Sequence, residues 1–248
     1  MHKPVLGIDV GGSSIKAALV DVASGNTVSD VGYVLTPRPS TPSNLLEAFV
    51  QLDRQLGGEG PLGLALPCVV QHGVTRTAAN IDKGWIDFDC RAALQERLGR
   101  PVTVLNDADA AGLAEVRWGA GQGTRGVVIV LTFGTGIGSA IFNDGVLLPN
   151  TEFGHLEMLG GEAEHYASAR VRTAQQLDWP AWAARVNAYL ARMHGLFWPD
   201  LFILGGAVTE NYEHFAPLLQ SPAPIRAARF AGQSGIVGAA LAASLTRG

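Results

Sequence analysis

Three sets of residues in this chain have the types and spacing to do chemistry. Two are glycine-rich turns: Gly11-Gly12-Ser13-Ser14, entered from Asp9, and Gly134-Thr135-Gly136-Ile137-Gly138, entered from Thr132. Consecutive backbone N–H groups with no Cβ in the way can surround an anion, so each turn is a candidate phosphate cradle. Hairpin geometry by itself also explains glycines in β-turns. The repetition, with Asp9 beside one turn and Thr132 or Thr135 beside the other, favours phosphate. Neither turn matches a common nucleotide motif. A dinucleotide fingerprint needs G-x-G-x-x-G opening a helix, whereas Gly134, Gly136 and Gly138 lead into a strand. A P-loop needs Gly-Lys-Ser/Thr, which does not occur here.

The third set consists of carboxylates and imidazoles. Asp9 ends an apolar strand, where it either caps a turn or holds a divalent cation against phosphates. An unpaired buried carboxylate is costly, which suits the cation reading. Asp107 can be a helix N-cap, and so can Asn106, although one cap is enough. It can equally be the base that accepts a proton from an attacking hydroxyl in phosphoryl transfer. The segment Glu152-Phe153-Gly154-His155, with Glu157, Glu162, Glu164 and His165, reads as a solvated loop, a sugar site or a metal site through the two histidines. No cysteine lies nearby, and the metal reading ranks last. Cys68 and Cys90 read as small hydrophobes. His72, His194 and His214 lack acidic or cysteine partners, and Trp179, Trp182 and Trp198 suit helix packing.

Positioning these groups falls to alternating strands and helices. Val5–Asp9, Ile15–Val20 and Thr27–Val31 read as three antiparallel strands. A helix starts at Ser43 or Asn44, with Leu45, Phe49, Leu52 and Leu56 on one face. Strands follow at Leu62–Leu66 and Val102–Leu105, the second stopping at Asn106-Asp107 before a helix over Ala108–Trp118. The opening pattern then recurs: strand Val127–Leu131, glycine loop, strand Ser139–Phe142, an Asn143-Asp144-Gly145 turn and Val146–Leu148. Helices over Trp182–Trp198, a strand Leu201–Leu204 and a last helix Gly235–Leu245 complete the chain. The expectation is a duplicated α/β unit facing itself across a cleft: one subdomain over residues 1–107 and another over 108–248, the last helix able to pack back on the first.

Composition removes other classes. The 248 residues carry a formal charge of −4, and 16% are charged, against a typical ~25%. The low charge suits surface hidden in an oligomer. No apolar run reaches the ~18 residues of a membrane span, so no membrane partner is expected. The opening Met1-His2-Lys3-Pro4 lacks a signal peptide's apolar stretch, and a cytoplasmic location follows as the default. The negative balance and absence of a basic run argue against nucleic acid. Two cysteines cannot build a disulfide framework or a four-cysteine zinc site.

Taken together, these motifs resemble the ROK family of sugar kinases and repressors. Leu6-Gly7-Ile8-Asp9-Val10-Gly11-Gly12 is similar to its first phosphate loop and Asn106-Asp107 to its catalytic pair. Leu131-Thr132-Phe133-Gly134-Thr135-Gly136-Ile137-Gly138 with Glu152-Phe153-Gly154-His155 is similar to its signature. Within the family, Ala78-Ala79-Asn80-Ile81-Asp82-Lys83-Gly84-Trp85, the run Asn106–Glu115, Asn150–Glu157 and Trp198–Phe202 resemble the polyphosphate-using glucokinases. The resemblance implies an actin-like ATPase (ribonuclease H-like) fold of the α/β class, a homodimer, and phosphorylation of glucose at O6 from polyphosphate and ATP. It implies Asp107 as base, with Asn80, Asn106, Glu152, His155 and Glu164 holding glucose hydroxyls. The C-x-C-G-x-x-G-C zinc loop of many members is absent between Leu156 and Ala163, so zinc is not implied and His155 is left for sugar. The chain begins with its first strand, which disfavours a DNA-binding repressor.

On this reading Mg²⁺ near Asp9 offsets donor charge. Gly11, Gly12, Ser13, Thr132, Gly134, Thr135 and Gly136 position the phosphates. Lys16, Lys83, Arg170 and Arg172 are candidate cations along a polyphosphate path. Gly205-Gly206 would serve adenosine in the alternative, a strictly ATP-dependent hexokinase. A non-catalytic sugar sensor would have discarded the base, and Asp107 is present.

Overall fold

The computed structural model describes residues 3–79, 81–230 and 232–246. Apolar residues on both faces make β1 (Val5–Val10), in which Asp9 alone is not fully buried. It pairs antiparallel with β2 (Ser14–Asp21), Asp9 opposite Lys16. The expected third strand is split into β3 (Asn26–Thr27) and β4 (Gly32–Leu35), each pairing with a different half of β2. Between them the Leu19 N–H donates to Ser29 Oγ at 3.0 Å, so a side chain replaces the ladder there.

Helix α1 (Pro42–Leu56) starts earlier than its polar residues suggest. Thr41 is the cap, Pro42 supplies the fixed φ of the first turn, and Gly57 closes the helix in the left-handed conformation. Strand β5 (Leu62–Leu66) lies parallel to β1. Three short strands, β6 (Val70–Gln71), β7 (Val74–Thr75) and β8 (Phe88–Asp89), form a separate small sheet before α2 (Cys90–Leu98). Strand β9 (Val102–Asn106) completes the main sheet in the order β3-β2-β1-β5-β9, with β4 on β2.

Helix α3 (Asp107–Trp118) follows β9 directly. The opening pattern then repeats as β10 (Val127–Phe133), β11 (Ile137–Asn143) and β12 (Val146–Leu148). A hairpin, β13 (Glu157–Met158) and β14 (Gly161–Glu162), precedes α4 (Glu164–Ala167), α5 (Ala169–Ala174) and the long α6 (Trp179–Phe197). Asp178 caps α6, accepting from the Ala181 N–H, so the helix begins before Trp182. Strand β15 (Leu201–Gly205) runs parallel to β10, α7 (Tyr212–Phe215) follows, and β16 (Ile225–Ala227) ends a sheet ordered β12-β11-β10-β15-β16. The last helix is α8 (Ser234–Leu245).

The chain divides into a first unit up to Ala114, rejoined from Gln233 onward, and a second unit Glu115–Gly232. Both are α/β, as the alternation of elements implies. The first has a core of Leu6, Ile8, Phe49, Leu52, Leu64 and Trp85. Helix α8 is apolar all round and buried against β1 and β5, where Gly7 and Gly63 leave room for its backbone. The second core gathers Phe133, Trp182, Tyr189, Phe202 and Phe215. Among the described residues no helix is long and apolar enough to cross a membrane.

Candidate active site

In the first unit, Gly11, Gly12 and Ser13 form the exposed turn between β1 and β2. The Gly11 N–H closes it onto the Ser14 carbonyl at 3.0 Å. Asp9 stands at the end of β1 beside the turn, and burial pushes its carboxyl up to about 6, with facing Lys16 pulling the other way. Gly235 is the reason the carboxylate fits: a Cβ there would sit 2.5 Å from Asp9 Cγ. Asp9 therefore abuts the first turn of α8, whose N–H groups favour negative charge.

Asn106 and Asp107 sit where β9 becomes α3. Asn106 Oδ1 accepts from the Ala108 and Asp109 N–H groups at 2.8 and 3.0 Å, while its Nδ2 donates to the Cys68 carbonyl at 3.2 Å. Asn106 is buried, fixed at both ends, and is the N-cap. One oxygen of Asp107 accepts from the Ala108 N–H at 2.8 Å, and the side chain is half-exposed. Asn106 alone caps the Asp109 N–H, while the Ala108 N–H is shared with one Asp107 oxygen, so the main capping role falls to Asn106. Asn80 lies outside the described residues. Lys83 donates to the Ala78 carbonyl at 2.7 Å, next to that position.

In the second unit, β10 extends two residues further than its apolar run, through Thr132 and Phe133, which pair with Gly138 and Ile137. Only Gly134, Thr135 and Gly136 remain in the turn. Gly205 pairs with Thr132 on the parallel side. Gly206 takes φ 87° with its Cα against Phe133; a Cβ would approach the Phe133 carbonyl oxygen to 2.4 Å. Thr132, the glycine turn and Gly205-Gly206 thus converge at one end of this sheet. Arg170 is exposed, and its backbone N–H donates to the Gly134 carbonyl at 3.0 Å. Arg172, by contrast, stacks its guanidinium 3.5 Å over the Trp179 ring, a packing role.

The Glu152–His155 turn is set by β11. Ser139 Oγ donates to the Thr151 carbonyl at 2.8 Å, Thr151 Oγ1 donates to the Ser139 carbonyl at 2.8 Å, and the Phe153 N–H donates to Ser139 Oγ at 3.0 Å. Tyr189 donates its hydroxyl to the Phe153 carbonyl at 3.1 Å, and burial pushes its pKa up. Glu164 reaches under both features. Its Oε2 accepts from the Ile137 N–H at 3.3 Å, and side chains at Gly136 or Gly154 would collide with it or crowd it, at 2.3 and 3.2 Å. The second glycine turn and the Glu152–His155 turn are therefore one assembly.

His155 Nδ1 is 3.0 Å from Glu162 Oε2, and Nε2 is 3.8 Å from Glu152. The hydrogen bond to Glu162 raises the His155 pKa and lowers that of Glu162. Burial raises Glu152, against the pull of His155. His155, Glu162 and Glu164 offer ligand-type atoms within 4.8 Å of one another. The sequence reading missed the supports: Ser139 and Thr151, Tyr189, and the Thr36–Arg38 segment described below. All act across ten or more residues, where local patterning carries no signal.

Residues 5–165 match the ROK family. The chain belongs to the ROK family. The polyphosphate glucokinase of Mycobacterium tuberculosis is 48% identical over 237 residues, covering 95% of this chain and 89% of that protein. The inorganic polyphosphate/ATP-glucomannokinase from Arthrobacter sp. strain KM is 43% identical with a TM-score of 0.95, covering 99% of this chain and 100% of that one. The ROK family glucokinase from Streptomyces griseus, solved with glucose and AMPPNP, is 27% identical with a TM-score of 0.85, covering 98% and 100% of the chains. The fold is that of the actin-like ATPases, which ROK kinases share. The β1-β2 and β10-β11 hairpins carry the two glycine turns that the sequence pattern anticipates.

Proposed function

We propose that this ROK protein is a glucokinase that transfers a phosphoryl group from inorganic polyphosphate, and from ATP, to O6 of glucose. The observation that carries this reading is the likeness over 99% of the chain to a polyphosphate/ATP-glucomannokinase. Asp107 is the proposed base: Asn106 does the capping, and a half-exposed carboxylate at a strand end can orient and deprotonate a primary alcohol. Asn80, Asn106, Glu152, His155 and Glu164 are the proposed glucose contacts. Carboxylate and imidazole groups suit vicinal hydroxyls, and the bracing of Glu152 and His155 by Ser139 and Thr151 supports a preset geometry.

Gly11, Gly12, Ser13, Gly134, Thr135 and Gly136 are the proposed phosphate contacts, with Asp9, Lys16, Thr132, Gly205 and Gly206 beside them. The surroundings of Asp9 fit a magnesium ion, because its carboxyl is already pushed up to about 6 by burial and a hard cation takes oxygen ligands of this kind. Bound there, Mg²⁺ would offset the donor's negative charge. The low charge content of 16% supports a homodimer. A cytoplasmic setting accords with this activity.

A coupled assay with glucose, Mg²⁺ and each donor in turn tests the reading, and turnover is expected with both donors. Turnover with ATP alone would end the polyphosphate half of it. Asp107→Asn should keep glucose affinity and lose about 10²–10⁴ in turnover. Near-normal turnover in that variant would remove the base assignment.

A further inference from the structure

The first glycine turn is held from one side. Thr36 Oγ1 donates to the Gly11 carbonyl at 2.7 Å, an Arg38 guanidinium N–H donates to the Gly12 carbonyl at 2.8 Å, and the Thr36 N–H donates to the Ser13 carbonyl at 3.1 Å. Three consecutive carbonyls are thereby drawn toward one short segment, Thr36-Pro37-Arg38. That segment is anchored because β4 ends at Leu35, paired with Ser14 of β2. Pro37 and Pro39 fix φ on either side of Arg38, so little backbone freedom is lost in presenting it.

In a trans peptide the C=O of one residue and the N–H of the next point in opposite directions. Turning the Gly11 and Gly12 carbonyls toward Thr36 and Arg38 turns the Gly12 and Ser13 N–H groups away from them. Among the described residues neither N–H has a protein acceptor. Both residues are exposed, and a Cβ at Gly12 would meet nothing within 4 Å. The turn is thus preset with two donors facing open space, the arrangement an anion requires.

We infer that Thr36 and Arg38 are positioning residues for the donor: they hold the Gly12 and Ser13 N–H groups aimed at a phosphate. This deepens the reading above and rests on it for the identity of the anion. Thr36 is 8% exposed, so its hydroxyl is buried on the turn, whereas Arg38 is exposed and can be truncated without leaving a cavity.

The test is calorimetric binding of inorganic tripolyphosphate, with glucose affinity and thermal midpoint measured alongside. Thr36→Val keeps the shape and removes the hydroxyl donor, and should weaken tripolyphosphate binding about tenfold, the scale of one lost buried hydrogen bond. Thr36→Ser should restore it to within about twofold of the wild type, because the donor returns. Arg38→Ala should weaken binding about threefold, and the double variant at least as much as Thr36→Val alone, because the two residues brace one turn and are coupled, while glucose affinity stays put.

Unchanged binding in Thr36→Val would overturn the inference. So would equal losses in the Val and Ser variants, or a matching fall in glucose affinity, each of which marks a purely structural bond. If Thr36→Val does not fold, Arg38→Ala at its exposed site carries the same test. A wild type that binds tripolyphosphate but transfers nothing to glucose refutes the kinase reading and leaves the positioning test standing. A wild type that binds no tripolyphosphate overturns the positioning role itself.

Discussion

In the first unit the central strands are covered by α8 at the closest range backbone allows. A Cβ at Gly7 would lie 2.0 Å from the Ile236 carbonyl oxygen, one at Gly63 1.9 Å from that of Ala239, and one at Gly238 1.7 Å from that of Ala110. In the second unit the corresponding strand β10 is covered by rings instead: Phe133 meets Trp182 and Tyr189 edge-on at 5.8 and 6.4 Å, and Trp182 meets Phe215 at 5.0 Å. The hairpins are the same in outline, β1-β2 beside parallel β5 and β10-β11 beside parallel β15. The turns they carry are held differently. The first is tied from behind by Thr36 and Arg38, the second propped by Glu164 and the Arg170 N–H. A repeated topology can therefore place two equivalent turns while leaving the surrounding side chains to decide what each turn does. Asp9 and Thr132 occupy matching places in the two hairpins, a carboxylate in one and a hydroxyl in the other.

The sharpest way to break this comparison is to add one methyl group to a helix of each unit. Gly238→Ala in α8 drives a Cβ into the Ala110 carbonyl and should destabilise by about 1–3 kcal/mol or more. In a chain of this size that lowers the thermal midpoint by about 2–4 °C per kcal/mol. Gly195→Ala in α6 meets nothing within 4 Å and should stabilise, by about 0.5–1 kcal/mol, because a helical glycine loses more backbone entropy than alanine. Calorimetric melts of the two variants that shift the same way would show that the units are not held by different means.

A smaller effect, on function alone, separates the two turns. Neither Gly12 nor Gly134 has a neighbour within 4 Å of a would-be Cβ, and neither has positive φ. Gly12→Ala and Gly134→Ala should each leave stability within about 0.5 kcal/mol of the wild type. If both turns cradle phosphate, donor KM should rise about tenfold in each, on the scale of one weakened hydrogen bond. Donor kinetics that respond at Gly12 alone would leave the second turn as hairpin geometry only.

Much of this was legible in the residues, for local reasons. Alternating and continuous apolar runs place the strands, and glycine clusters place the turns. The Asn106-Asp107 step is readable as the end of one element and the start of the next. Which residue caps was not readable, since both side chains suit the cap and only the hydrogen bonds from Ala108 and Asp109 to Asn106 decide. The end of β10 was read two residues early because Thr132 is polar and Phe133 adjoins glycine; the pairing to Gly138 and Ile137 overrides composition. The small sheet of β6, β7 and β8 left no periodic trace. It is organised by the buried Thr75 hydroxyl, which donates to the carbonyl of Trp85 and, at 3.2 Å, lies near that of Phe88.

The smallest expected effect concerns two ionisable groups that shift the same way for opposite reasons. Asp9 in the first unit is raised by burial, which penalises its charged form; His155 in the second is raised chiefly by its hydrogen bond to Glu162, which favours its charged form. Glu152 and Glu164 also face His155 and add to the rise, while its burial opposes it. For a histidine whose folded pKa lies above its ordinary 6.5, the stabilisation is fully present below 6.5 and is lost as pH rises through the raised value. Glu162→Gln removes the largest cause, so the imidazole should titrate at lower pH, and the decline in stability should begin correspondingly earlier. The His155 imidazole is readable by NMR across the range of about pH 5–8 in which histidines change charge. A His155 curve unmoved by Glu162→Gln would mean that Glu152 and Glu164 hold the proton. The Glu152–His155 turn would then take its charge state from the carboxylates proposed to bind glucose rather than from the hairpin behind them.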